Sequence, residues 1–249
     1  MMRANMWCLC LGLSCCLALT TAAEPVRLGY ADRSFFPLQL GEGALPAEPP
    51  GRAVTSVLKS AASLELRTEL QRLPIKRLLL MLERGELDGA FSFSYLPERV
   101  RNMVFPMTSS GPDSKRSLGV LEYYLYTRSD FVPHGLDGSV SALAAYRIGV
   151  LKDTAIASLL KAQAVPYEAT KTIEQNLQKL LLGRIDIFIG QKESTQQQLS
   201  KRTEFKTLRR SGEPLFSRHY YLVFSHPFYR QHRQWCEAWW RVLAQQSQE

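Results

Sequence analysis

Arg99 is the residue best placed to do chemistry with a small anion. It ends the run Leu96-Pro97-Glu98-Arg99. A guanidinium is planar, stays charged, and offers a fork of donors that matches a carboxylate bidentately. Its plainer use would be a local ion pair with Glu98 or another acid. Ser92 and Ser94 stand shortly before it and alternate with Phe91 and Phe93. Strand periodicity puts both hydroxyls on one face. That face lies near the strand's C-terminal end, where parallel α/β sheets hold their ligands. Ordinary polar capping of a strand end is the simpler role for them. Tyr30, Asp32, Phe35 and Phe36 follow an earlier strand-like segment. An aromatic face suits the apolar or cationic part of a ligand. Either Phe35 or Phe36 can face a cleft, with the other packing inward.

Other chemistries find no support. There is no Gly-x-Ser-x-Gly, no phosphate-binding glycine loop and no zinc pattern. His134, His219, His226 and His232 are scattered along the chain. The six-residue step between the last two does not put them on one helix face. No catalytic residue, no metal and no cofactor is expected.

The elements that must position these residues alternate strand and helix. Val26 to Tyr30 reads as a strand, and Gly41 to Gly51, rich in Pro and Gly, as a loop. Val54, Val57, Leu58 and Ala61 have helical spacing. Leu64 to Leu70 alternates like a strand. Ile75, Leu78, Leu79 and Leu82 form a second helical stripe ended by Gly85, and Leu87 to Phe93 is the next strand. The second half repeats the order. Arg147 to Val150 is a strand, Asp153 or Thr154 can cap the next helix, and Thr172 can cap another striped by Ile173, Leu177, Leu180 and Leu181. Gly183 ends that helix and Ile185 to Ile189 is a strand. Leu79, Leu82, Gly85 and Asp88 therefore have counterparts in Leu177, Leu180, Gly183 and Asp186, and Arg27-Leu28-Gly29 has one in Arg147-Ile148-Gly149. Two copies of one plan predict two similar lobes. Ser117 to Tyr126 and His219 to Phe224 read as strands that connect them. Trp235, Trp239 and Val242 share a stripe expected to anchor a C-terminal helix in the core.

The net charge is +8, but the basic residues are spread in pairs such as Lys115-Arg116, Lys201-Arg202 and Arg209-Arg210. A nucleic-acid binder would gather them on one face among aromatics. Nucleic acid is therefore not an expected partner. Residues 1–23 carry one charge, Arg3, then an apolar run from Trp7 to Leu19 and the small residues Thr20-Thr21-Ala22-Ala23. That is the pattern of a cleaved secretory signal. A lipoprotein signal at Leu13-Ser14-Cys15-Cys16 and an uncleaved anchor are its rivals. Cys8, Cys10, Cys15 and Cys16 fall inside the segment. Cys236 would remain alone, with no internal disulfide open to it and a buried, packing role expected.

The stretch from Leu78 to Pro106 resembles the amino-acid-binding family of bacterial extracellular solute-binding proteins. The matching motifs are Gly85-Glu86-Leu87-Asp88, the serine-bearing strand, Leu96-Pro97-Glu98-Arg99 and Val104-Phe105-Pro106. The resemblance extends over nearly all of the chain after residue 23. It implies a two-lobed, type II periplasmic-binding-protein-like α/β fold, with a cleft between lobes and two connecting hinge strands. Lobe one would be 24–113 plus 219–249, and lobe two 114–218. It further implies that Arg99 clamps a ligand carboxylate, that the loop at Tyr30, Asp32, Phe35 and Phe36 lies over the ligand, and that Lys152-Asp153-Thr154 matches a Lys-Gly-Thr turn at an anion-binding helix start. Gln191 stands where the family places an aspartate for the α-ammonium group. A neutral amide cannot replace that charge, so an acidic solute without an α-ammonium is expected. The protein would be a periplasmic monomer that presents its solute to a membrane permease of the ABC type. A sensory module is the alternative. A dehydratase-type enzyme on the same fold is another, with Asp32 and Glu98 as its only candidate acids.

Overall fold

The computed structural model describes residues 24–136 and 138–246. The expected signal segment, 1–23, lies outside the described residues.

Each half of the chain builds a three-stranded parallel unit. The first is β1 (Val26–Ala31), α1 (Arg52–Ser63), β2 (Thr68–Leu73), α2 (Ile75–Arg84) and β3 (Gly89–Ser94), with β1 paired to both other strands. A small hairpin of β4 (Met107–Thr108) and β5 (Gly111–Pro112) follows. The long strand β6 (Gly119–Arg128) then leads into the second unit. That unit is β7 (Ile148–Leu151), α3 (Ala155–Ala162), β8 (Glu168–Thr170), α4 (Ile173–Leu181) and β9 (Ile187–Gln191), with β7 paired to both other strands. After α5 (Lys192–Leu199), β10 (Leu208–Phe224) runs back the full length of the sheet, and α6 (His226–Gln231) and α7 (Arg233–Gln246) close the chain.

The sheet order is β2-β1-β3-β10-β6-β9-β7-β8. Its centre is the antiparallel pair of β6 and β10, and each of these also flanks one parallel unit. These two strands are the connections expected from the sequence. β10 begins earlier than expected because the loop-like run Ser211-Gly212-Glu213-Pro214 does not end the strand. Pairing shifts between Ser211 and Phe216 and then resumes, so Gly and Pro sit in a bulge.

The repeated motifs have a physical meaning. Asp88 accepts from Arg27 backbone N at 2.8 Å, from Nε at 3.2 Å and from Nη2 at 2.8 Å. Asp186 accepts from the same three groups of Arg147 at 3.0, 2.9 and 2.5 Å. Each clamp ties the start of a unit's central strand to the turn before its third strand. Gly85 at φ 69° and Gly183 at φ 64° make that turn in the left-handed region, where a Cβ is penalised.

Three details differ from expectation. Strand β2 starts at Thr68, because Leu64 and Leu66 belong to the turn that ends α1, with Glu65 at φ 56°. Leu58 is 39% exposed, so only Val54, Val57 and Ala61 of its stripe are buried. Trp235 is 46% exposed, and α7 instead buries Cys236, Trp239, Trp240 and Leu243. The indole N–H groups decide that register: Trp239 donates to Ser60 Oγ at 2.7 Å and Trp240 to the Leu222 carbonyl at 2.8 Å. Burial pushes the Cys236 thiol up to about 12, which keeps it an unreactive thiol. Among the described residues, no helix is long and apolar enough to cross a membrane.

Candidate functional site: a cleft between the two halves

The loops after β1 and β3 of the first half face the turns after β7 and β9 of the second. A cavity of about 80 Å³ lies between them, with Phe35, Ser92, Ser94 and Arg99 on one wall, Thr154 on the other, and Tyr123 and Tyr220 from the central strands. A larger cavity of about 230 Å³ adjoins it and is lined by Phe36, Lys171, Gln191 and Ser194. Phe35 and Arg33 line both. Three contacts bridge the cleft edges. Ser194 Oγ donates to the Phe36 carbonyl at 2.8 Å, Arg33 Nη1 donates to the Lys152 carbonyl at 3.1 Å, and Lys76 Nζ lies 3.7 Å from Asp153.

Arg99 leaves a short helical turn, Pro97–Arg99, and folds back along β3. Its Nη1 donates to the Ser94 carbonyl at 2.9 Å and to Ser94 Oγ at 3.3 Å, and its guanidinium carbon lies 5.3 Å from the centre of the Phe93 ring. The local pair with Glu98 does not form. Among the described residues, no carboxylate stands within 4.0 Å of this guanidinium. Burial lowers its pKa from the usual value. It nonetheless stays charged, as arginine does in proteins.

Ser92 and Ser94 both reach the cavity wall, but not by simple alternation. Phe93 pairs with Tyr221 and Phe91 with Leu222, so Ser92 is an extra residue in a bulge, at φ 64°. The bulge sends Phe91 and Phe93 to opposite sides of the sheet, into two different core clusters. Ser92 Oγ is buried with no hydrogen-bond partner among the described residues. A non-glycine residue in that region costs on the order of 1–3 kcal/mol, a strain that concentrates at functional sites.

In the loop after β1, Phe35 is the ring on the smaller cavity, 5.2 Å edge-on to Tyr220. Phe36 lines only the larger one. Tyr30 and Asp32 line neither. Tyr30 points inward and is 2% exposed, stacked 4.7 Å from Phe91. The backbone of Asp32 is held by Leu73 and Gly43. On the opposite wall, Asp153 takes φ 56°, which explains why glycine suits that position, and Thr154 is the cap of α3. Thr154 Oγ1 accepts from Ala157 N at 3.3 Å and donates to the Leu151 carbonyl at 2.7 Å. Gln191 is likewise spent on α5: its Oε1 accepts from Ser194 N at 2.7 Å, and its Nε2 donates to Glu193.

Two features of the cleft escaped the sequence. Arg33 belongs to no motif, yet it stands two residues past the end of a parallel strand, the place where ligands gather. Tyr123 on β6 and Tyr220 on β10 share a hydrogen bond between their hydroxyls. Burial raises the pKa of both, Tyr220 to about 12. Both phenols are therefore neutral donors and acceptors at neutral pH. The strand pattern showed two β-rich connections but not that their tyrosines meet.

No family model and no curated protein matches the chain. Solved structures do. A histidine kinase sensor domain with similarity to periplasmic binding proteins aligns with TM-score 0.66 at 14% identity, over 88% of this chain and 89% of that one. The arginine-, lysine-, histidine-binding protein of Geobacillus stearothermophilus aligns with TM-score 0.63 at 17% identity, over 88% of each chain. An ancestral arginine-binding protein bound to glutamine aligns with TM-score 0.62 at 15% identity, over 90% and 92%. The fold is that of the type II periplasmic binding proteins. Its two lobes are the two strand–helix units, and its hinge strands are β6 and β10. At these identities the likeness concerns architecture alone, and what this chain binds must come from its own cleft.

Proposed function

We propose that this chain is a solute-binding protein that captures a small carboxylate-bearing solute between its lobes and performs no chemistry on it. The observation that carries the reading is Arg99, a desolvated guanidinium on the cavity wall with a serine and a phenylalanine ring as neighbours and no acid paired to it. A charge removed from water without a counter-charge is costly. A ligand carboxylate offsets that cost through a bidentate pair. Both polar atoms of the Gln191 side chain are engaged locally. That supports a solute without an α-ammonium group.

The mechanism is hinge closure about β6 and β10. Lobe one is residues 24–113 plus 219–249, and lobe two is 114–218. Solute settles against Arg99, and closure brings Thr154 and Gln191 over it. Contacts that exist only in the closed form drive the shift. Ser94 and Phe35 complete the lobe-one wall, with Ser92 Oγ free to bond the solute. Export by residues 1–23 would place a monomer in the periplasm, where an ABC-type permease takes the solute.

A sensory role is the second reading, favoured by the sensor domain among the similar structures. Loss of solute uptake on deletion of the chain supports transport. Tight binding with uptake unchanged supports sensing.

The test is a thermal-shift screen of small acids, amines and amino acids, followed by calorimetry. A true ligand raises the melting temperature by mass action. Small carboxylic acids are expected to score. Sub-micromolar binding of an ordinary amino acid would overturn the preference against an α-ammonium.

A further inference from the structure

One cleft guanidinium has no task in the reading above. Arg33 follows β1, lines both cavities, and spends one donor on the Lys152 carbonyl of the opposite lobe at 3.1 Å. A guanidinium has five N–H donors. Among the described residues, no carboxylate lies within 4.0 Å of it. We propose that the solute is a small dianion, held by Arg99 at one end and by Arg33 at the other. This rests on the cleft being a carboxylate site, and it names the class of carboxylate.

The charges around the cavity favour it. Its walls hold two guanidiniums and one acid, Asp153, which lies 3.7 Å from Lys76 and also acts on Arg33, as Asp32 and Glu42 do from beyond 4.0 Å. Glu42, on the larger cavity, accepts from Ser34 N at 3.1 Å. Burial lowers the pKa of Arg33, as it does that of Arg99. Tyr123 lines both cavities together with Arg33, and the smaller one together with Arg99. A cavity of about 80 Å³ suits a spacer of only a few carbons. Arg33 also donates across the cleft to the Lys152 carbonyl of lobe two, so one side chain can touch both the second anion and the opposite lobe. An α-amino acid with an uncharged side chain offers one carboxylate and leaves Arg33 unpaired.

The experiment is calorimetry on the purified chain with malonate, succinate, glutarate and adipate, each against the monocarboxylate of the same length. One dicarboxylate is expected to bind at least about tenfold tighter than its monocarboxylate, the worth of a charge-assisted bond. In Arg33→Gln that ratio should fall toward one. Arg33→Lys, which keeps the charge and loses the fork, should retain part of it. Equal affinities in the wild-type chain would overturn the dianion and leave the carboxylate reading standing. An equal loss for both acids in Arg33→Gln would also overturn it, making Arg33 a clasp between lobes only. Failure of every acid to bind would sink both readings together.

Discussion

The two lobes share a frame and differ in what they show the cleft. In each, an arginine opening the central strand grips an aspartate before the third strand through three hydrogen bonds. In each, a left-handed glycine makes the turn. Among the described residues, lobe one then leaves Arg99 without an acid and Ser92 Oγ without a hydrogen-bond partner at the cavity wall, the latter on a strained bulge. Lobe two commits Thr154 and Gln191 to capping its helices. The same architecture thus holds cavity-lining donors in one half and helix-capping groups in the other. Most of the binding energy should therefore reside in lobe one, with lobe two adding the smaller contacts that favour closure.

The strongest way to break that division is Arg99→Ala. Losing a charge-assisted pair should weaken solute binding by about tenfold to a hundredfold. The fold should survive with only a modest fall in melting temperature, because among the described residues the side chain makes no ion pair and what is lost is its bonding to Ser94 and its contact with Phe93. Affinity like the wild type, by calorimetry, would make Arg99 a structural residue. Next in size is a comparison of matched glycines. A Cβ on Gly29 would first meet leucine side chains, Leu78 Cδ2 at 2.4 Å and Leu87 Cδ1 at 2.7 Å. On Gly149 it would meet Ile185 Cδ1 at 2.4 Å and Asn176 Oδ1 at 2.6 Å. Asn176 is buried and donates to Thr170 Oγ1 at 2.6 Å, so it cannot move freely. Overpacking costs about 1–3 kcal/mol, and Gly149→Ala should stand at the upper end and Gly29→Ala at the lower. Denaturant midpoints in the reverse order would contradict this. Third, Thr154→Ala should cost about 0.5–2 kcal/mol of stability through the lost cap. Its effect on affinity should be far smaller than that of Arg99→Ala. An equal loss of affinity would show that lobe two supplies a donor after all.

The frame was legible because its signals are local. Gly85 and Gly183, Asp88 and Asp186, and the apolar stripes of α2 and α4 each act within one strand–helix unit, so spacing alone exposes them. The site was only partly legible, because it depends on what closes around each residue. Alternation put Ser92 and Ser94 on one face, but the bulge at Ser92 depends on the register of β10 far along the chain. Tyr30 and Phe35 belong to one aromatic loop in sequence. Stacking on Phe91 draws Tyr30 into the core and leaves Phe35 on the cavity. Gln191 could be read as a neutral replacement for a charge. That its amide caps α5 needed the position of Ser194. Arg33 had a favourable place in the sequence, but that no carboxylate among the described residues comes within 4.0 Å of it is visible only in three dimensions.

The smallest expected effect sharpens the likeness of the two frames rather than their difference. Arg147 holds the Asp186 carboxyl below its ordinary value, first through the side-chain hydrogen bond. A carboxylate whose pKa is depressed in the fold binds its proton more readily when unfolded. Its stabilising contribution is therefore present above the unfolded pKa of about 3.9 and disappears as pH falls through the lower folded value. Asp186→Asn should cost on the order of one degree in melting temperature at pH 7, since exposed ion pairs are weak. The gap from the wild type should shrink below about pH 4 and close in stronger acid. Salt should narrow it as well, because the pair is partly open to water. A gap that stayed constant from pH 7 to pH 2 would mean that the side-chain shape, and not the charge, secures the turn before β9. The frame of lobe two would then rest on packing and its glycine alone.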